Sequence, residues 1–174
     1  MKFKLIVSIT VVTIMLGFSF FFARELLKSE PLPVGVHLDK LILNRQNGSD
    51  DYILKKERPT VVLILSQTCE HCIYQIKSLK HNIDQYQYYD LLFLIKVTSE
   101  ESDLLPLLSD LSMYENVTVQ LVQEEKIQTL FGKGGVPRYY LLDQNGYLKR
   151  KLQGEVKSDY LLKEIESLFV RTQR

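Results

Sequence analysis

The sequence predicts an α/β fold with a three-layer core, preceded by one apolar N-terminal helix. Three observations carry this. Val61-Val62-Leu63-Ile64-Leu65 is a short, continuous apolar run rich in β-branched residues, as expected of a central parallel strand buried on both faces. A helical pattern starts a few residues beyond it, and strand-like and helix-like segments then alternate toward the C-terminus. Leu5 to Ala23, finally, runs for nineteen residues without a charge.

That run follows a short basic head, Met1-Lys2-Phe3-Lys4, and Arg24 and Glu25 end it. As a helix it spans about 28 Å, enough for the hydrocarbon core of a bilayer. Lys2 and Lys4 favour a cytoplasmic N-terminus, which places everything after the span outside the cytoplasm. The expected protein is therefore single-pass, with the lipid bilayer contacted by residues 5–23. The alternative is a cleaved signal peptide. Gly17-Phe18-Ser19 offers small residues for cleavage, but Phe20 to Phe22 continue the apolar run past them. No cysteine follows the run, which argues against a lipoprotein anchor. The expected organisation is an anchor over 1–23, a linker over 24–33 and one folded domain over 34–174. Within the linker, Ser29 to Pro33 holds two prolines and reads as an extended spacer.

Val34 to about Lys56 is irregular and strand-like, with apolar Leu41-Ile42-Leu43 and a turn signal at Asn47-Gly48. Arg58-Pro59 leads into the Val61–Leu65 strand. Ser66-Gln67-Thr68 is a loop, and a helix begins near Cys69 with Ile73, Ile76, Leu79, Ile83 and Tyr86 near helical spacing. Leu91 to Val97 is a second buried strand. Asp103 to Tyr114 is helical, with Pro106 close to its first turn, where proline is tolerated. Val117 to Val122 is a third strand, and Glu124 to Phe131 a short helix ended by Gly132 and Gly134-Gly135. Tyr139 to Leu142 is a fourth strand. Asp143-Gln144-Asn145-Gly146 turns the chain so that Tyr147 to Leu152 pairs back as a hairpin. Ser158-Asp159 caps a last helix reaching about Phe169. About 140 residues are enough for such a core.

Composition removes several function classes. Of the 174 residues, 45% are hydrophobic and 25% charged, which excludes wholesale disorder. The net charge of +1 provides no basic patch, so no nucleic acid partner is expected. Beyond the basic head, 20 basic residues face 21 acidic ones, so no partner is selected by charge. Two cysteines are too few for a disulfide scaffold or a cysteine-rich zinc site. His37 and His81 do not complete a ligand set, so neither metal nor other cofactor is expected.

The two cysteines sit three apart, as Cys69-Glu70-His71-Cys72. In the first turn of a helix, unpaired N–H groups and the positive end of the helix dipole face the Cys69 sulfur and favour its thiolate, the reactive form. Cys72 lies about one turn further along the same face, close enough for a small disulfide ring but less exposed. Cys69 then attacks and Cys72 resolves the mixed disulfide. His71 adds positive charge or a hydrogen bond near the thiolate, whereas Glu70 acts in the opposite direction. A buried strand ending just before the pair and an amphipathic helix starting at it make this reading more specific than the spacing alone.

On these residues the chain resembles the thioredoxin superfamily, specifically its membrane-anchored, extracytoplasmic TlpA/ResA-like branch, over roughly Val34 to Phe169. Val61–Leu65 followed by Cys69-Glu70-His71-Cys72 is similar to the strand and redox motif. The strand–helix insertion between the motif helix and Pro137 is similar to the branch's extra element. Gly135-Val136-Pro137 resembles the cis-proline loop, Leu142 to Gly146 the hairpin after it, and the stretch with Gly35 and Gly48 the entry hairpin. The resemblance implies a thioredoxin-like fold with a central mixed sheet. It also implies a Cys69–Cys72 disulfide that cycles, a cis Val136–Pro137 peptide facing Cys69, and a backbone at Val136 that binds extended substrate. The implied activity is thiol–disulfide exchange with exported proteins, leaning toward reduction, for instance of apocytochrome c thiols. The implied electron partner is a membrane thiol protein.

Two departures stand out. Thr68 occupies a position that is usually aromatic, and the buried acid that often assists the second cysteine is missing. Gln75 stands one turn after Cys72, and Glu70 is a weak candidate for proton acceptor. Two other functions compete. A peroxiredoxin-like thiol peroxidase fits Ser66 as its hydroxyl residue but finds Val62 where proline belongs. A non-catalytic, membrane-tethered binding module would use Tyr86, Tyr88 and Tyr89 as its contact surface.

Overall fold

The computed structural model describes residues 13–20, 32–45, 48–54, 58–97 and 104–170. The chain divides into two compact units, Met1–Glu30 and Pro31–Arg174. In the first, residues 13–20 are helical and exposed, with Ile14, Met15, Leu16, Phe18 and Phe20 all open to their surroundings. Most of the expected span over 5–23 lies outside the described residues, as do residues 24–31 of the expected linker. Among the described residues no helix is long and apolar enough to cross a membrane.

The second unit opens with β1 (Lys40–Arg45) and β2 (Gly48–Ile53), an antiparallel pair matching the expected entry hairpin. A five-stranded sheet follows. Its strands are β3 (Thr60–Ser66), β4 (Asp90–Lys96), β5 (Val117–Val122), β6 (Arg138–Leu142) and β7 (Leu148–Gln153), in the spatial order β5-β4-β3-β6-β7. β3 pairs in parallel with β4, and β4 with β5; β6 is antiparallel to both β3 and β7. The sheet is therefore mixed, and β3 lies at its centre.

Among the described residues of this unit, four helices complete the layers: α1 (Glu70–His81), α2 (Leu104–Leu111), α3 (Glu124–Phe131) and α4 (Ser158–Val170). Side chains alternate across the pleat, so each central strand feeds both faces. Val61, Leu63 and Leu65 join Leu91, Phe93, Ile95, Tyr139 and Leu141 on one side. There they meet Cys72, Ile76 and Leu79 of α1, Leu104, Leu108 and Leu111 of α2, and Leu161 and Ile165 of α4. Val62 and Ile64 join Leu92, Leu94, Tyr140 and Leu142 on the other side, against Ile127 and Phe131 of α3, with Leu32, Leu41 and Leu54. This is the expected three-layer arrangement. Full burial of each such aliphatic side chain stabilises the fold by roughly 1.5–3 kcal/mol.

Some boundaries differ from the sequence pattern. The apolar periodicity from Ile73 runs through Tyr86, but α1 stops at His81. Asn82 adopts φ −117°, ψ 19°, its N–H bonds the Leu79 carbonyl, and Ile83–Tyr86 tightens into a 3-10 turn. Ser158 is the first residue of α4 rather than a residue ahead of it; its hydroxyl meets the buried Tyr86 hydroxyl at 2.9 Å, and Leu161 N–H bonds the Lys157 carbonyl. α2 is shorter than its pattern because the chain turns at Ser112 to Tyr114. Asp103 lies outside the described residues, and so does the side chain of Phe169.

Candidate active site

β3, buried along its whole length, delivers the chain to a tight turn at Gln67-Thr68. The turn closes through Cys69 N–H donating to the Ser66 carbonyl at 3.3 Å. Cys69 caps α1: its backbone is extended (φ −97°, ψ 109°), and its Sγ accepts the Cys72 N–H at 3.2 Å. Its carbonyl meanwhile accepts from Cys72 and Ile73 N–H at 3.0 and 3.1 Å. The sulfur thus takes the place of a capping oxygen and shares the Cys72 N–H with the Cys69 carbonyl.

Cys69 is half-buried and Cys72 fully buried, and the two thiols are free. Burial pushes the Cys72 thiol far above its ordinary range, and its hydrogen bond with Cys69 adds to this; the Ser66 backbone and the Lys96 charge work in the opposite direction. The two sulfurs therefore differ in the sense required for an attacking and a resolving thiol.

The loop before β6 comes to the same place. The Val136–Pro137 peptide is cis, and the Cys69 thiol donates to the Val136 carbonyl with Sγ···O 3.8 Å. Pro137 is buried, and its carbonyl accepts Gly154 N–H at 2.9 Å. Arg138 anchors the loop from inside: its guanidinium donates to the Phe131 and Gly132 carbonyls, at 3.2 and 3.1 Å, at the end of α3. Val136 therefore presents half-buried backbone beside the exposed edge of Cys69.

The remaining sequence candidates are placed differently. Glu70 is exposed in the first turn of α1. His71 is also exposed, and its Nδ1 is hydrogen-bonded to Glu155 Oε1 in the loop before α4. Thr68 is exposed at the position where the resemblance leads one to expect an aromatic ring. Of the three tyrosines considered as a contact surface, Tyr86 is buried and hydrogen-bonded to Ser158, Tyr89 is half-buried and Tyr88 is exposed. Among the described residues no three His, Cys, Asp or Glu side chains are grouped to hold a metal.

Two site residues escape the sequence pattern, and a third, Gln75, is singled out only by its place one turn after Cys72. Gln75 is fully buried on α1, and its Oε1 accepts Val156 N–H at 2.9 Å. Tyr139, two residues after the cis-proline, is fully buried in the same core cluster as Cys72. Glu155 engages His71 from 84 positions away.

No protein-family model matches the chain, and no curated protein matches it. Solved structures do. The pneumococcal exposed lipoprotein thioredoxin Etrx1 from Streptococcus pneumoniae strain TIGR4 is 17% identical with a TM-score of 0.55, covering 74% of this chain and 98% of its own. A putative thiol:disulfide interchange protein DsbE from Chlorobium tepidum is 16% identical with a TM-score of 0.57, covering 79% and 96%. A thiol:disulfide interchange protein from Bacteroides sp. is 20% identical with a TM-score of 0.56, covering 81% and 92%. The likeness spans nearly the whole of each neighbour, and the fold is thioredoxin-like.

Proposed function

We propose that this protein is a thiol–disulfide oxidoreductase that exchanges disulfides with exported proteins through Cys69 and Cys72. The observation that carries this reading is the Cys69 sulfur, set as the cap of α1, hydrogen-bonded by Cys72 N–H and lying beside the Val136 carbonyl. The neighbours in fold include proteins described as thiol:disulfide interchange proteins, which supports the same chemistry.

In the proposed reaction an extended client segment lies along the Val136 backbone. The Cys69 thiolate attacks the client disulfide to form a mixed disulfide. Cys72 then attacks Cys69, releasing a reduced client and leaving the Cys69–Cys72 disulfide. A membrane thiol partner restores the dithiol.

Reduction is the favoured direction. A histidine at position 71 favours the reduced thiolate, and hence an oxidising couple, when its charge faces Cys69. Here its ring is engaged by Glu155. Apocytochrome c thiols are one proposed client class. The uncharged run Leu5–Ala23 supports a single-pass tether with the domain outside the cytoplasm, where disulfides persist.

The test is to alkylate the purified protein before and after dithiothreitol. With alkylation carried out in denaturant, two thiols that react only after reduction are expected; a Cys69–Cys72 pair that never cycles would falsify the proposal. Measuring the reduction potential then sets the direction: about −270 mV is thioredoxin-like, and about −120 mV marks a strong oxidant.

A further inference from the structure

Buried polar atoms without partners gather behind the second cysteine. The Gln75 side chain is fully buried, and its Oε1 is used by Val156 N–H, yet its Nε2 donates to nothing. The Tyr139 hydroxyl is also buried; the Val156 backbone N–H lies beside its oxygen, but its proton has no acceptor. Tyr139, Val156 and Cys72 belong to one core cluster, and Gln75 lies one turn along α1 from Cys72 among that helix's buried residues. Burial raises the Tyr139 phenol well above its ordinary range, and charge on Cys72 is the next largest cause, so hydroxyl and sulfur lie within electrostatic reach.

Native cores hold few unpaired polar groups, because each costs the desolvation of a donor without return. Two of them in the core layer that holds one reactive sulfur call for a state in which they are satisfied. A neutral thiol is a weak acceptor, whereas a thiolate is a strong one.

We propose that the Tyr139 hydroxyl and the Gln75 amide form a donor pair that receives the negative charge of Cys72 when it acts as the resolving thiolate. The proposal rests on the exchange function above. In the step concerned, Cys72 gives up its proton and its thiolate attacks the Cys69 sulfur of the mixed disulfide. The Cys69–Cys72 bond forms, the Cys69–client bond breaks, and the client leaves as a thiolate that takes the proton. The donors are in place before charge develops, so little reorganisation is needed. As neutral donors they stabilise the thiolate, while its proton passes to the departing client thiolate.

The experiment reacts the reduced full-length protein with an aromatic disulfide whose released thiolate is coloured. The first release reports attack by Cys69 and the second reports resolution by Cys72. In Tyr139→Phe the first phase is expected to be unchanged and the second slowed by about tenfold, with its pH midpoint moved upward. The melting temperature should hold or rise, because an unpaired hydroxyl has been removed from the core. Gln75→Met is expected to slow the second phase in the same way. An unchanged second phase with an unmoved midpoint in both variants overturns the donor pair. So does an equal slowing of both phases with a lower melting temperature, the mark of a packing role. A wild-type protein showing no second release overturns the exchange function itself.

Discussion

His71 Nδ1 is hydrogen-bonded to Glu155 Oε1, joining the redox motif to the loop that enters α4. The imidazole closest in sequence to both sulfurs is thereby held by a carboxylate. Glu155→Gln should release the ring and remove a negative charge beside the motif, which favours the reduced thiolate state. An exposed pair contributes roughly 0.2–1 kcal/mol, so the equilibrium constant against glutathione should shift by at most about fivefold toward an oxidising couple. His71→Ala in the Glu155→Gln background should reverse the shift. A shift that survives in the double variant would assign the effect to the Glu155 charge itself.

The unequal burial of the two sulfurs predicts unequal reactivity. Cys69 is half-buried, whereas Cys72 is fully buried with its thiol pushed up by desolvation. In the reduced protein at neutral pH, iodoacetamide should modify Cys69 and leave Cys72 intact. Cys72→Ser should accumulate client mixed disulfides visible on a non-reducing gel, and Cys69→Ser should accumulate none. Equal labelling of both thiols would contradict the assignment of roles.

Tyr86 joins the turn after α1 to the start of α4 through hydrogen bonds from its buried hydroxyl to Ser158. Burial raises its pKa from the ordinary 10.0 to about 12. The unfolded chain therefore loses this proton first as pH rises. The stability tied to it is present in full below about pH 10, falls between 10 and 12, and is gone above the folded value. Two pH units correspond to about 3 kcal/mol. Tyr86→Phe should weaken the fold at neutral pH yet decline less steeply across this window. Urea titrations of both proteins over the window measure the difference, and identical slopes would refute it.

Gly146 closes the β6–β7 hairpin at φ +81°, and its carbonyl accepts Leu38 N–H at 2.9 Å. A Cβ there would meet the Leu38 carbonyl oxygen at 2.3 Å. Gly146→Ala combines a disfavoured dihedral with a backbone clash, so a loss of about 2 kcal/mol or more in urea unfolding is expected. The rate of Cys69 alkylation in the folded fraction should not change, because the turn's hydrogen bonds run to Leu38 and within the hairpin. A neutral substitution would show that the Leu38 strap is free to shift.

Much of this architecture is legible from local pattern. Val61–Leu65 announces a doubly buried strand, and Val62 and Leu63 do pack on opposite faces. Asp143 to Gly146 announces a turn, and Asp143 Oδ1 accepts the N–H groups of Asn145 and Tyr147 at 2.9 Å. Cys69 and Cys72 are legible because their chemistry lies within four consecutive residues at a helix start. Where pattern misleads, a local backbone event is responsible: the apolar spacing through Tyr86 continues across the break at Asn82, since a 3-10 turn can keep Ile83 and Tyr86 facing inward.

The sequence by itself determined the order of elements, the placing of Cys69 and Cys72 at a helix start and the turn chemistry, because periodicity, capping and spacing act between near neighbours. Only the tertiary structure decided what surrounds the pair. Gln75 meets Val156 across 81 positions, His71 meets Glu155 across 84, and Tyr139 comes to the Cys72 side because β6 pairs antiparallel with β3. Those meetings follow from how the helices and loops pack on the sheet. Packing sums many weak, nonlocal contacts, and that sum sets which polar groups share the buried space behind Cys72.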